Sequence, residues 1–74
     1  MPANQSPFGP SEFGQNMRRL RLEQRRTQEE VAETAGVSSR YVALIEAGAR
    51  NPTLLVILEL ARALEVPPHK LFRG

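Results

Sequence analysis

Apolar residues recur along this chain at spacings of three and four, the period of helices with one buried face. Phe13, Met17 and Leu20, with Gln24 at the edge, share a face and predict a first helix from a Ser11 cap to about Arg25. Val31, Ala32 and Ala35 form the stripe of a second, short helix. Thr27 precedes it as cap, with Glu30 at the capping-box spacing. Gly36 follows, where a left-handed backbone stops a helix at no steric cost. Ser38 then caps a third helix with the stripe Val42 and Ile45, and Val37 plugs the turn between the two. Two short helices joined by a turn of about three residues containing Gly describe a helix-turn-helix over Thr27 to Glu46. Farther on, Ala47-Gly48 stops the third helix and Thr53 caps a fourth. It runs from Leu54 to about Leu64 on the stripe Leu54, Ile57, Leu58, Ala61 and Leu64. Leu55, Val56 and Leu60 widen that stripe beyond one face, so a second face should be covered by something, and a second copy of the chain fits. Val66-Pro67-Pro68 breaks this helix and starts a fifth from Pro68 to about Phe72. It is too short to stand alone, so Leu71 and Phe72 must dock on the body or on a partner. The expected fold is therefore an all-α bundle of five helices. Residues 1–10, with three prolines and one glycine, read as a flexible arm, and residues 11–74 as the folded domain.

The chain has 74 residues and no cysteine. That allows one domain near the lower size limit, held by helix packing without disulfides or thiolate metal sites. No apolar run is long enough to cross a bilayer, no signal peptide pattern opens the chain, and a cytoplasmic protein is expected. The net charge is +2, but Arg18, Arg19, Arg21, Arg25 and Arg26 crowd one segment against a single Glu23. Such a segment is either a solvated helix face or a surface for a polyanion, and the helix-turn-helix favours nucleic acid.

No catalytic constellation is visible: there is no Cys or Asp, and His69 is the single histidine. His69 lacks a second ligand at metal spacing and reads as a surface residue; no metal, cofactor or small-molecule ligand is expected. The glycines lack phosphate-loop spacing. Binding, not catalysis, is the expected chemistry. In a helix-turn-helix the second helix enters the major groove with its N-terminal residues at the base edges. With Val42 and Ile45 facing inward, Ser38, Ser39, Arg40, Tyr41 and Leu44 face out. Arg40 matches guanine N7 and O6, with a phosphate contact as the alternative; Ser39 reads weakly. Tyr41 either meets a phosphate or packs into the core. Gln28, at an N-terminus whose free N–H groups attract anions, should contact backbone phosphate, as should Arg50, Asn51 and Arg18. A dimer surface is expected from Leu55, Val56, Val66, Pro67, Leu71 and Phe72. Two copies roughly 34–36 Å apart along one duplex face would read a palindrome, and concentration acting through dimerisation would control them.

The motif T27-Q28-E29-E30-V31-A32, with G36-V37-S38, Y41-V42 and I45-E46-A47-G48, resembles the helix-turn-helix of the XRE family. That family includes phage lambda-type repressors, Cro proteins and the controller proteins of restriction–modification systems. F13-G14, M17-R18, L20-R21 and R50-N51-P52-T53-L54 also fit, so the resemblance covers roughly residues 12–72. It implies a five-helix lambda-repressor-like domain and an ion pair between Arg21 and Glu46 that fixes helix 1 against helix 3. It also implies a phosphate contact by Gln28 that bridges to the reading helix, and a base contact at Leu44. A leucine there meets a thymine methyl or else covers its neighbours. Glu30 and Glu33 either stabilise the helix dipole or, as the resemblance implies for some members, touch RNA polymerase. The family implies an autoregulating controller or a Cro-like regulator; the alternative is an antitoxin or another protein-interaction module.

Overall fold

The computed structural model describes residues 9–73. Its elements are α1 (Pro10–Glu23), α2 (Gln28–Ala35), α3 (Ser39–Glu46), α4 (Leu54–Ala63) and a 3-10 turn over Pro68–Phe72. The fold is all-helical, with four α-helices rather than the five expected. The last segment is five residues behind Pro67-Pro68, and Lys70 N–H closes on Pro67 O, three residues back. Arg73 is already extended, and five residues are too few to establish the four-back ladder of an α-helix.

Local chemistry accounts for the helix starts. Thr27 Oγ1 accepts from Glu30 N–H at 3.0 Å, and Glu30 Oε1 accepts from Thr27 N–H at 2.8 Å. Ser38 Oγ accepts from Tyr41 N–H and Thr53 Oγ1 from Val56 N–H. Each such cap stabilises its helix by about 1 kcal/mol. The first helix departs from expectation: it starts at Pro10, so its cap is Gly9 and not Ser11, and Glu12 Oε1 accepts from Gly9 N–H at 2.8 Å. Gly9 and Pro10, expected in the arm, belong to α1 and its cap; the rest of the expected arm, residues 1–8, lies outside the described residues. All four helices end on a residue of positive φ: Arg25, Gly36, Gly48 and Glu65. The next residue's N–H then returns to a carbonyl in the last turn, as Val37 does to Ala32. α1 thus stops two residues short of the expected end, because Arg25 has left the helical region.

Phe13, Met17, Leu20, Val31, Ala32, Ala35, Val42 and Ile45 are buried as expected and join residues of α4 in one core. Each large side chain there contributes roughly 1.5–3 kcal/mol by leaving water. The phase of α4 differs from the sequence reading. Leu60, Ala61, Ala63 and Leu64 are buried, whereas Leu54 is 71% exposed, Leu55 67% and Leu58 46%. α4 packs on α2 and on the 3-10 turn, which centres its inner face on Leu60 and leaves those three leucines outside. Leu71 is fully buried. Asn16 Nδ2 donates to its carbonyl at 3.1 Å, and this bond holds the 3-10 turn on α1. Leu71 is therefore core and cannot be part of a dimer surface, a correction to its expected role.

Candidate nucleic-acid interface

The segment expected to read DNA is α3, and its two flanks are built differently. On one flank stands Glu46, in the last turn. Arg21 Nε donates to Glu46 Oε2 at 2.7 Å and Arg21 Nη2 to Glu46 Oε1 at 2.9 Å. The two side chains keep only 10% and 4% of their exposure. A planar guanidinium matched to a carboxylate in this forked way is the strong form of an ion pair. Arg21 Nη1 also donates to Arg26 O, and Gln28 Nε2 to Glu46 Oε1 at 3.1 Å. Glu46 thus ties α3 to both α1 and α2. The hydrogen bond to Glu46 raises the Arg21 pKa, so the cation persists across all ordinary pH. Beside this lock α1 lies unusually close to α3. A Cβ added to Gly14 would meet the backbone oxygens of Ile45 and Glu46.

The other flank is open. Val37, Ser38, Arg40, Tyr41, Leu44 and Arg50 line a concavity of about 320 Å³. Arg40 is exposed and Leu44 half-buried. The Arg50 guanidinium lies over the Tyr41 ring, 5.3 Å from its centroid. No carboxylate lines this concavity, so its charge is positive over apolar walls. Val42 and Ile45 are at 0–1% exposure beneath it, leaving the outward line of α3 to Ser39, Arg40 and Leu44. Ala43 shares that line three residues after Arg40 and was missed in the sequence reading; the spacing alone was the available signal.

Five of the expected DNA-facing residues, Ser38, Arg40, Tyr41, Leu44 and Arg50, come together in the concavity. Ser39 sits half-buried in the first turn of α3, and Gln28 is held on the Glu46 flank. Asn51, one residue after Arg50, turns the other way into a groove with Gly9, Pro10, Phe13, Ile57 and Phe72. Arg18 is exposed on α1 in a third groove with Gln15, Arg19 and Leu22. The arginine-rich segment is largely committed internally. Arg21 is in the lock, and Arg19 pairs with Glu23 at 3.3 Å. Arg26 donates to Ala63 O and, at 3.1 Å, to Thr34 Oγ1. Gln24 Nε2 adds a 2.7 Å bond to Leu64 O. Two of the five clustered arginines, Arg21 and Arg26, thus join separate helices. Glu29, Glu30 and Glu33 are all exposed, Glu30 with one carboxylate oxygen in the α2 cap. Of the expected dimer surface, Leu55, Pro67 and Phe72 are exposed and Val56 and Val66 half-buried. Phe72 meets Phe13 edge-on, with centroids 5.3 Å apart.

Residues 17–71 match the family model described as helix-turn-helix. A stretch of 53 residues is 49% identical to an uncharacterized HTH-type transcriptional regulator, y4dJ, of Sinorhizobium fredii, covering 72% of this chain and 69% of that one. The fold is similar to the restriction–modification controller protein C.AhdI from Aeromonas hydrophila, with a TM-score of 0.84 and 41% identity over 85% of this chain and 96% of that one. It is also similar to the hypothetical transcription factor NHTF from Neisseria, with a TM-score of 0.85 and 29% identity over 100% and 87% of the two chains.

Proposed function

The chain belongs to the XRE-type helix-turn-helix family, whose members are DNA-binding transcriptional regulators and not enzymes, and from that premise we propose that it reads a (pseudo)palindromic operator as a homodimer and autoregulates a restriction–modification system. The observation that carries this reading is Arg40. It stands exposed in the first turn of α3, beside Ser39 and Leu44, on a helix locked to α1 and α2. A rigid platform with a free fork of donors is what discrimination of guanine requires. Arg50 and Gln28 flank it as backbone contacts, which orient the helix and carry no sequence information; the Tyr41 ring lies under Arg50. The similarity to C.AhdI supports the controller assignment. No helix among the described residues is long and apolar enough to cross a membrane, and the protein acts in the cytoplasm, on its operator.

The second copy packs on the outer face of α4. Leu54, Leu55 and Leu58 there are large, apolar and exposed, and contiguous apolar surface of this kind marks an interface. Leu55→Glu should convert the dimer to a monomer in analytical ultracentrifugation with its helical circular dichroism intact. RNA polymerase contact falls to Glu30 and Glu33, both exposed on α2. Selection of binding sites from random duplexes tests the whole reading. The wild type should yield a palindrome with a conserved guanine, and Arg40→Ala should lose about 1–3 kcal/mol of preference at that position. Equal affinity of the wild type for every duplex would refute it.

A further inference from the structure

The backbone that carries Arg50 has little freedom. Gly48 takes φ +75°, Gly48 N–H donates to Ile45 O at 3.0 Å, and Ala49 N–H to Leu44 O at 2.9 Å, so the loop is closed onto the end of α3. It also rests on α1, where a Cβ at Gly48 would come within 2.8 Å of Ser11 Oγ. Pro52 follows with its fixed φ, and Thr53 caps α4. What remains free at this position is the long Arg50 side chain. No ion pair or hydrogen bond orders it among the described residues, and its one side-chain partner is the face of Tyr41. Within about 6 Å of a ring centroid, the ring quadrupole attracts a guanidinium.

We propose that Tyr41 is a positioning residue: its ring face holds the Arg50 guanidinium at the mouth of the concavity, ordered before DNA arrives. This rests on the reading of α3 as the DNA-reading helix and assigns the work of Tyr41 to its ring, not to its hydroxyl. A stacked guanidinium keeps its edge N–H groups free for phosphate oxygens. Ordering it in advance removes part of the entropy that binding otherwise has to supply.

Tyr41 is the single tyrosine of a chain without tryptophan, so its ring signals are assigned without ambiguity and Tyr41→Leu separates its ring shift from those of the phenylalanines. In proton NMR of the full chain without DNA, the Arg50 side-chain methylene signals should be shifted upfield by the ring. Tyr41→Phe should keep that shift and Tyr41→Leu should abolish it, with thermal melts confirming that both variants fold. On the selected operator, Tyr41→Leu should weaken binding about two- to fivefold and Tyr41→Phe should not. In an Arg50→Ala background, Tyr41→Leu should have no further effect. Arg50→Ala alone should reduce the slope of affinity against salt by about one, the loss of one phosphate contact. Absence of the ring shift, equal losses in Phe and Leu variants, or additive losses in the double variant would each overturn the positioning role. If the wild type bound no duplex selectively, the reading of α3 would fall and the positioning role with it; the NMR shift would then record a fold contact alone.

Discussion

The two flanks of α3 answer opposite demands. The Glu46 flank is buried and its bonds are charge-assisted and forked, so α3 has one position relative to α1 and α2. The Tyr41 flank is half-exposed, apolar-walled and held by a single ring–cation contact. Removing one member of a desolvated ion pair leaves an uncompensated charge inside the protein. Loss of a surface stack leaves a cation in water, where it is well solvated. Stability is therefore concentrated on one side of the helix, and the recognition we propose falls to Arg40 and Arg50 on the other. The division is physical: contacts weak enough to rearrange around DNA cannot also be the ones that set the helix in place.

The largest effect should come from breaking the lock. Arg21→Met leaves Glu46 buried without its cation and should destabilise the fold by about 3–5 kcal/mol. At about 4–8 °C per kcal/mol for a domain of this size, its thermal midpoint should fall by more than about 12 °C. Arg21→Met with Glu46→Leu should recover most of that loss, because both charges are then gone; no recovery would mean that packing, not the charge, is decisive. Next comes Gly14→Ala. Its methyl would press on the backbone oxygens of Ile45 and Glu46, which cannot swing aside. Overpacking of this kind costs about 1–3 kcal/mol, read in a urea titration; an unchanged midpoint would show that α1 shifts freely. Smallest is Arg50→Ala on the open flank. Its thermal stability should stay within about 0.5 kcal/mol of the wild type, while operator affinity and its salt dependence fall. A stability loss as large as that of Gly14→Ala would erase the distinction between the flanks.

Much of the reading segment was legible because its signals are local. Thr27, Glu30 and Ser38 act on N–H groups within one turn of themselves, and Gly36 takes its left-handed backbone with no neighbour's help. Arg25 and Glu65 adopt the same positive φ with nothing in their side chains to announce it. That is why the end of α1 was misplaced. The pairing of Arg21 with Glu46 came from family resemblance, since a contact across 25 positions leaves no periodic trace. The stack of Arg50 on Tyr41 left none either.

By itself the sequence determined that the chain is helical, where the turn between α2 and α3 falls, and which residues of α3 face inward. Those properties depend on hydrogen bonds and side-chain spacing within a few residues. Tertiary structure alone decided which face of α4 is covered, because leucines occupy both faces and only α2 and the 3-10 turn select between them. It also decided that Leu71 is core, that most of the clustered arginines bond to the protein's own helices, and that Arg50 and Asn51 serve different grooves. In each case the energy lies in what the side chain meets, and that is set by distant segments of the chain.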